Sequence, residues 1–385
     1  MLVEFLPSGG MYQFSYQFAA ALAKAGHRVQ LITGPEPELA AKVDGLEVRS
    51  PLPTWHPNAD ARSVGLPRRL RRVWRAFLLL ESWRRVLREL RRERPDVAQF
   101  GELRYPLDSA ALLVAARLTR PTAVVDVAHN PLPYDVTSKS QSVQKGGRLT
   151  RRLLARAYEA CSVVLVLGDG PKRDLVREFP TVRRVAVCGH GDYSEVLSSV
   201  EVPPPSAASP SALLFGAWTK YKNIPLLLDA FERLRRILPD ARLTLAGPVM
   251  PDVDLAAISA RAGAIGHVDL RPGYVPMAEL PRLFGAHRVV MFTYETVNIS
   301  GSVHMAYTFG RPVVATRVGS MADIVTDGVT GLLADPDPES VASAMERLLN
   351  PATADRMGAN AARHAEQQSS WSSVAARAVA AYLDR

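Results

Sequence analysis

Apolar and polar positions along the chain follow two alternating rhythms. Short continuous apolar runs are separated by longer stretches in which apolar residues return every three or four positions. Runs of the first kind read as buried strands and stretches of the second kind as amphipathic helices. LVEFL at the start is a predicted strand, followed by a Pro7-Ser8-Gly9-Gly10 turn. A predicted helix then runs from about Tyr12 to Lys24, packing Phe14, Phe18, Ala21 and Leu22, with Gly26 placed to cap its end. Arg28–Thr33, Val97–Phe100, Ala123–Val127 and Val163–Leu167 continue the series of strands, with helical patterns between them. Strands that alternate with helices predict a parallel sheet.

The stretch 201–210, EVPPPSAASP, is rich in proline and serine and lies between apolar strands, which marks it as a linker. The pattern then restarts, with Ser211–Phe215 as a strand, Ile224–Ile237 as a helix, and Arg242–Ala246, Val289–Phe292 and Val313–Thr316 as further strands. No short internal repeat is present, yet the two halves share a plan. The expected architecture is α/β, with two Rossmann-like doubly wound domains facing across a cleft. Their expected extents are 1–200 and 211–365, with 366–385 as a C-terminal helix that crosses back to the first domain. The 385 residues, 47% of them hydrophobic, suit two cores of about 150–200 residues each.

The net charge of +9 is unevenly spread, and eleven arginines fall between Pro67 and Pro95. In the same segment Leu70, Val73, Trp74, Phe77, Leu78, Val86, Leu87 and Leu90 recur at helical spacing, which predicts an amphipathic helix or a helix pair. One reading is a surface helix packed on its own domain, its arginine stems covering apolar surface. A second is a helix lying on an anionic membrane surface, with Trp74 and Trp83 inserted. Nucleic acid ranks below both, because no recognisable binding module accompanies the charge. The first residues do not read as a signal peptide, and no apolar run approaches the ~20 residues of a membrane span. Two cysteines, Cys161 and Cys188, leave no disulfide framework or thiolate metal site. The expectation is a cytoplasmic protein, attached peripherally to the inner face of the membrane on the second reading of the arginine segment.

Three loops carry candidate chemistry. In the first, Gly9 and Gly10 let backbone come close to a ligand at a helix N-terminus, although a plain tight turn fits too. Its spacing is not the GxGxxG of a dinucleotide site. The second is Asn298-Ile299-Ser300-Gly301-Ser302, whose small residues at a helix start leave N–H groups free for a phosphate and add the hydroxyls of Ser300 and Ser302. The third runs from Gly216 to Asn223, where Lys220 and Lys222 stand at a strand's carboxyl end and can neutralise a diphosphate. Asp126 and His129 flank the end of the strand Ala123–Val127, where a catalytic group belongs. Gly189-His190-Gly191-Asp192 reads as a structural loop. No cluster has metal-ligand spacing, so metal-free chemistry is expected.

At these residues the sequence resembles the GT-B-fold nucleotide-sugar glycosyltransferases, and within them glycosyltransferase family four (group 1). The likeness spans nearly the whole chain. LLFGAWTKYKNIPLLLDAFERL is similar to the family's strand–loop–helix that carries a donor-phosphate lysine. RLTLAGP and GYVPMAELPRLFGAHRVV resemble its next strand and base-contacting loop. AYTFGRPVVATRVGSMADIVTDGVTGLLADPDPESVASAM is the most specific stretch, and PSGG, QFAAALAKAGHRVQLIT and Ala128-His129-Asn130 match near the start. The resemblance implies that Gly10, Lys222 and the Ser300–Ser302 turn hold a donor diphosphate. It places His129 toward the transferred sugar and Tyr274 and Val275 around the base. The family's usual arginine falls at Ala217, with Lys220 nearby, and its paired glutamates fall at Val297 and Met305, with Glu295 close to the first but out of register.

The implied reaction moves a hexosyl group from a nucleoside-diphosphate sugar, with retention of configuration and without cofactor or metal. The acceptor, held by the N-terminal domain, is a lipid-linked sugar, polysaccharide, natural product or protein. A GT-B-fold binding or partner subunit that has lost catalysis is the rival expectation, and a sugar-nucleotide epimerase is disfavoured by the C-terminal signature.

Overall fold

The computed structural model describes residues 1–40, 43–54, 68–101, 103–131, 148–193, 201–296, 301–319 and 321–384. They fall into two compact units, one running to Gly191 and resuming at Trp371, the other running from Asp192 to Ser370.

The first unit alternates β1 (Leu2–Val3), α1 (Gly10–Lys24), β2 (Val29–Ile32), β3 (Leu46–Arg49), α2 (Arg68–Glu93), β4 (Val97–Phe100), α3 (Pro106–Leu118), β5 (Ala123–Ala128), α4 (Arg148–Ala160), β6 (Val163–Val166), α5 (Asp169–Glu178) and β7 (Val185–Val187). Its sheet has the order β3-β2-β1-β4-β5-β6-β7, and every pairing is parallel. Strand order reverses between β1 and β4, the switch point where ligands of such sheets bind. The near-continuous apolar strands follow from helices covering both faces.

The arginine-rich segment forms one helix, α2, rather than a pair. Its C-terminal half packs Trp83, Val86 and Leu90 into the core beside Phe100 and Leu112. Trp83 stacks on Phe100 at 5.2 Å and donates its indole N–H to Asp108 at 2.7 Å. This corrects the expectation that Trp83 inserts into a membrane, because an indole already buried and hydrogen-bonded has nothing left to insert.

The second unit runs β8 (Ser211–Phe215), α6 (Ile224–Ile237), β9 (Arg242–Gly247), α7 (Leu255–Ile265), β10 (Val268–Pro272), α8 (Leu280–Gly285), β11 (Val289–Phe292), α9 (Gly301–Thr308), β12 (Val313–Thr316), α10 (Met321–Ile324), β13 (Gly331–Ala334), α11 (Pro338–Leu349) and α12 (Pro351–Gln368). Its parallel sheet has the order β10-β9-β8-β11-β12-β13, so the switch point lies between β8 and β11. α6 shows why the helices sit as they do. Asn223 caps it by accepting from Leu226 N–H, Pro225 supplies a rigid first turn, and Leu227, Phe231 and Leu234 recur on the face buried against the sheet. Each such side chain contributes about 1.5–3 kcal/mol on burial.

Two buried arginines fasten the proline-rich stretch to the second unit. Arg288 donates to Ala208 O and Leu349 O, and Arg311 donates to Pro203 O and Phe284 O. The residues expected to be a plain linker therefore form part of a packed unit, with Pro205 buried.

The last helix, α13 (Trp371–Leu383), belongs to the first unit and packs along α1, with Trp371 5.1 Å from Phe14. Its ring lies so close over Gly191 that a Cβ there would sit 2.1 Å from it. Among the described residues no helix is long and apolar enough to cross a membrane.

Candidate functional site

In the second unit the turn after β8 is built around a buried amine. Lys222 closes the short 3-10 turn Lys220–Lys222, and its side chain folds back to donate to Phe215 O at 2.7 Å. Thr293, just past β11, donates its hydroxyl to Lys222 O at 3.0 Å, which ties this turn across the switch point. The Lys222 amine lies 5.8 Å from the centroid of the Tyr294 ring. Only 3% of Lys222 is exposed, and burial lowers its pKa to about 7.

Gly216 leaves the room that this arrangement uses. Its φ is +97°, and a Cβ there would stand 2.8 Å from the Lys222 amine and 3.6 Å from Ser302 Oγ. Gly247, with φ +144°, lets the end of β9 approach equally close, since a Cβ on it would meet Gly216 O at 2.2 Å. The amine, the Ser302 hydroxyl and the first turn of α9 thus converge on one glycine-lined space. Backbone N–H groups at a helix start, a hydroxyl and a cation suit an anion of phosphate type.

Structure separates the remaining second-unit candidates. Lys220 is exposed, and its backbone N–H is engaged by Asp252 at 3.0 Å. Gly301 and Ser302 open α9. Ser300, Asn298 and Val297 lie outside the described residues. Glu295 is exposed at the same edge, its N–H bonded to Tyr221 O at 2.7 Å. Tyr274 and Val275 line a groove of about 810 Å³ together with Arg271, Gly273, Glu279 and Arg282. Ala246 also lines that groove and accepts the Gly216 N–H at 2.9 Å, so groove and amine share one sheet edge. Met305 is buried among apolar neighbours, where a carboxylate would be costly.

In the first unit Gly9, with φ +85°, caps α1, and Gly10 is its first residue. A Cβ on either would meet nothing within 4 Å, so backbone is open to a ligand there. The helix start already has an acidic partner, since Glu38 accepts from Gly9 N–H at 3.0 Å and from the Gln13 amide. His129 lies just past β5, against Phe14 at 4.6 Å. Burial, helped by the charges of His190 and Arg104, lowers its pKa to about 3, so its imidazole is neutral. Its Nε2 finds no hydrogen-bond partner among the described residues. Asp126 is fully buried inside β5 rather than at its end, because that strand extends to Ala128. His190 is likewise neutral, its pKa lowered by burial to about 4.

Sequence reasoning passed over Glu4, which stands at the β1/β4 switch point. Its carboxyl accepts from Leu6 N–H at 3.1 Å and lies 3.9 Å from Arg104. A Cβ on Gly101 would clash with it at 2.3 Å. Burial raises its pKa. The signal was the one acid inside the apolar run LVEFL.

Comparison with known proteins identifies the family and the fold. The profile of Glycosyltransferase Family 4 matches residues 8–191, and that of Glycosyl transferases group 1 matches residues 209–351. A D-inositol 3-phosphate glycosyltransferase of Thermobifida fusca is 29% identical over 61% of this chain and 56% of its own length. An alpha-maltose-1-phosphate synthase of Mycobacterium tuberculosis is 24% identical over 63% of this chain and 68% of its own length. The first alignment thus spans little more than half of that relative. Among solved structures, sucrose-phosphate synthase of Thermosynechococcus elongatus superposes with a TM-score of 0.74 at 18% identity, covering 99% of this chain and 97% of that one. Anabaena HepE in complex with UDP and glucose superposes at 0.69 and 14% identity, covering 100% and 99%. Both share the fold. With one profile over the first unit and the other over most of the second, the chain belongs to the group 1 glycosyltransferases of glycosyltransferase family 4, with the GT-B type of α/β architecture.

Proposed function

We propose that the protein transfers a hexosyl group from a nucleoside-diphosphate sugar to an acceptor held by the first unit. Transfer proceeds with retention, without metal and without a cofactor. The observation that carries this reading is the Lys222 amine folded over Gly216 beside Ser302, at the β8/β11 switch point. There Lys222, Ser302, Gly301 and Ser300 hold the donor diphosphate, assisted by Lys220, while Gly9 and Gly10 are the first unit's own candidates for a diphosphate contact. Tyr274 and Val275 line the base, and Glu295 and Asn298 reach the ribose or the sugar. His129, neutral and with a buried Nε2 that has no hydrogen-bond partner among the described residues, faces the transferred sugar. Asp126, buried within β5, is the second catalytic candidate of the first unit.

Chemistry of this kind rests on positioning and on stabilising the departing diphosphate. The acceptor is a lipid-linked sugar, polysaccharide, natural product or protein, and the enzyme works in the cytoplasm, peripheral to the inner membrane face.

Thermal-shift titration with a panel of nucleoside diphosphates tests the donor site, and product analysis with a panel of nucleotide sugars tests turnover. A melting temperature unmoved by every nucleotide would sink the reading. Met305 favours a second reading, a partner subunit that binds nucleotide sugar without turning it over, because an apolar side chain stands where the family carries a glutamate. Nucleotide binding with no product from any donor would select that alternative.

A further inference from the structure

Helix α2 carries two apolar stripes on opposite sides, and its own unit covers only one. Leu79, Trp83, Val86 and Leu90 form the first stripe, each at most 8% exposed. Leu70, Val73, Trp74, Phe77 and Leu80 form the second, each 54–68% exposed. At 3.6 residues per turn the two stripes lie roughly 150° apart, so no rotation of the helix buries both on one core. Trp74 and Phe77 stack on each other at 5.6 Å while remaining open to solvent. An apolar stripe of this extent on a surface helix marks an interaction site.

Its position is fixed by the rest of the helix. Trp83 packs against Phe100, the last residue of β4, and against Phe5, just beyond β1, so it stands level with the carboxyl ends of the strands. Because α2 runs on toward the start of β4, residues before Trp83 extend away from the sheet on its carboxyl-end side. From Trp83 back to Leu70 the helix rises roughly 20 Å. The second stripe therefore stands at the same edge of the unit as the Gly9–Gly10 turn and His129.

The charge of this half selects the occupant. Arg68, Arg69, Arg71, Arg72 and Arg75 precede the first acid, Glu81. Farther along, Glu81 pairs with Arg84 and Arg85, and Glu89 and Glu93 pair with Arg92, so three acids offset part of the charge of the five arginines of α2 that follow Glu81. By helical periodicity most of the arginines from Arg68 to Arg75 fall on the face away from the apolar stripe, and a basic helix with Trp, Phe and Leu on its other face repels a second copy of itself and suits an anionic bilayer.

We propose that residues 68–80 of α2 dock on an anionic lipid surface through Trp74 and Phe77, bringing the substrate edge of the first unit to the bilayer and an acceptor anchored in it. This inference rests on the transferase reading above and gives its acceptor a place.

Sedimentation of the full chain with phosphatidylcholine vesicles, with and without phosphatidylglycerol, at low and at high salt, is the test. The protein is expected to bind the anionic vesicles at low salt and to release at high salt. Combined Trp74→Ser and Phe77→Ser replacement should lower partitioning on the order of tenfold or more, since two apolar side chains lose their insertion. Leu149→Ser, on α4 and 80% exposed in the native chain, should leave it unchanged. Absence of binding to anionic vesicles, or equal binding by the double variant, overturns the proposal. So does a wild-type dimer that the double variant disperses, since the stripe then serves a second copy. Nucleoside-diphosphate thermal shifts on the same samples keep the two readings apart. A normal shift with failed vesicle binding removes this inference alone, and a missing shift removes the donor assignment.

Discussion

The Lys222 amine donates to Phe215 O at 2.7 Å, so the cation of the candidate donor site is held against the carbonyl that ends its own strand. That carbonyl only partly compensates for burial, and the pKa falls from 10.5 to about 7. The unfolded chain keeps the proton up to a pH near 10.5, so between about 7 and 10.5 it binds more protons than the folded one. The burden of a buried charged lysine is therefore fully present below pH 7 and lifts as pH rises.

Affinity for a nucleoside diphosphate should run the other way. A bound diphosphate draws the proton back onto Lys222, so binding takes up protons and weakens above pH 7, approaching tenfold per pH unit. Calorimetry in two buffers of different ionisation enthalpy measures the uptake. Affinity that stays constant from about pH 7 to 9, with no proton uptake, counts against Lys222 as the phosphate ligand. Lys222→Ala should cost on the order of tenfold or more in affinity, the worth of one charge-assisted contact.

Gly216→Ala tests the space beside that amine. The new Cβ would stand 2.8 Å from the Lys222 amine at a φ of +97°, so strain of about 1–3 kcal/mol is expected along with displacement of the lysine. Both the melting temperature and the diphosphate affinity should fall. Loss of stability with unchanged affinity would show that Gly216 matters to the fold and not to the ligand.

The two tryptophans of α2 should behave oppositely. Trp83→Ala removes a buried, stacked, hydrogen-bonded indole and is expected to cost about 3–5 kcal/mol by denaturant unfolding. Trp74→Ala, at an exposed position, should stay within about 0.5 kcal/mol. Similar losses at both positions would mean that Trp74 is covered in solution.

Turnover with an active donor and acceptor pair should persist in excess chelator. Complete loss that magnesium or manganese restores would replace the metal-free mechanism with one in which a cation carries the diphosphate charge.

Apolar runs alone determined the interior of each sheet. Ala123–Val127, Val163–Leu167, Ser211–Phe215, Val289–Phe292 and Val313–Thr316 are covered on both faces, and a strand so placed is apolar at most positions, with Asp126, Ser211 and Thr316 as the polar exceptions. Three of the four sheet edges, LEVR of β3, VDLRP of β10 and GLLA of β13, escaped notice, and the fourth, VAV of β7, was marked only by the Gly189–Asp192 loop that follows it. An edge strand has a neighbour on one side only, so short and mixed runs suffice and leave little pattern to read. Motif composition likewise brought out Lys222 and the glycine turns, because a turn that must admit a ligand restricts which residues it can hold, whereas Tyr274 came from the family resemblance alone. Tertiary structure decided the rest. It folded Lys222 over Gly216, carried Glu4 to a switch point, enclosed Asp126 within its strand, and covered one stripe of α2 while leaving the other bare. Each of these depends on which chain segments become neighbours across a sheet, and residues far apart in sequence carry no local record of that pairing.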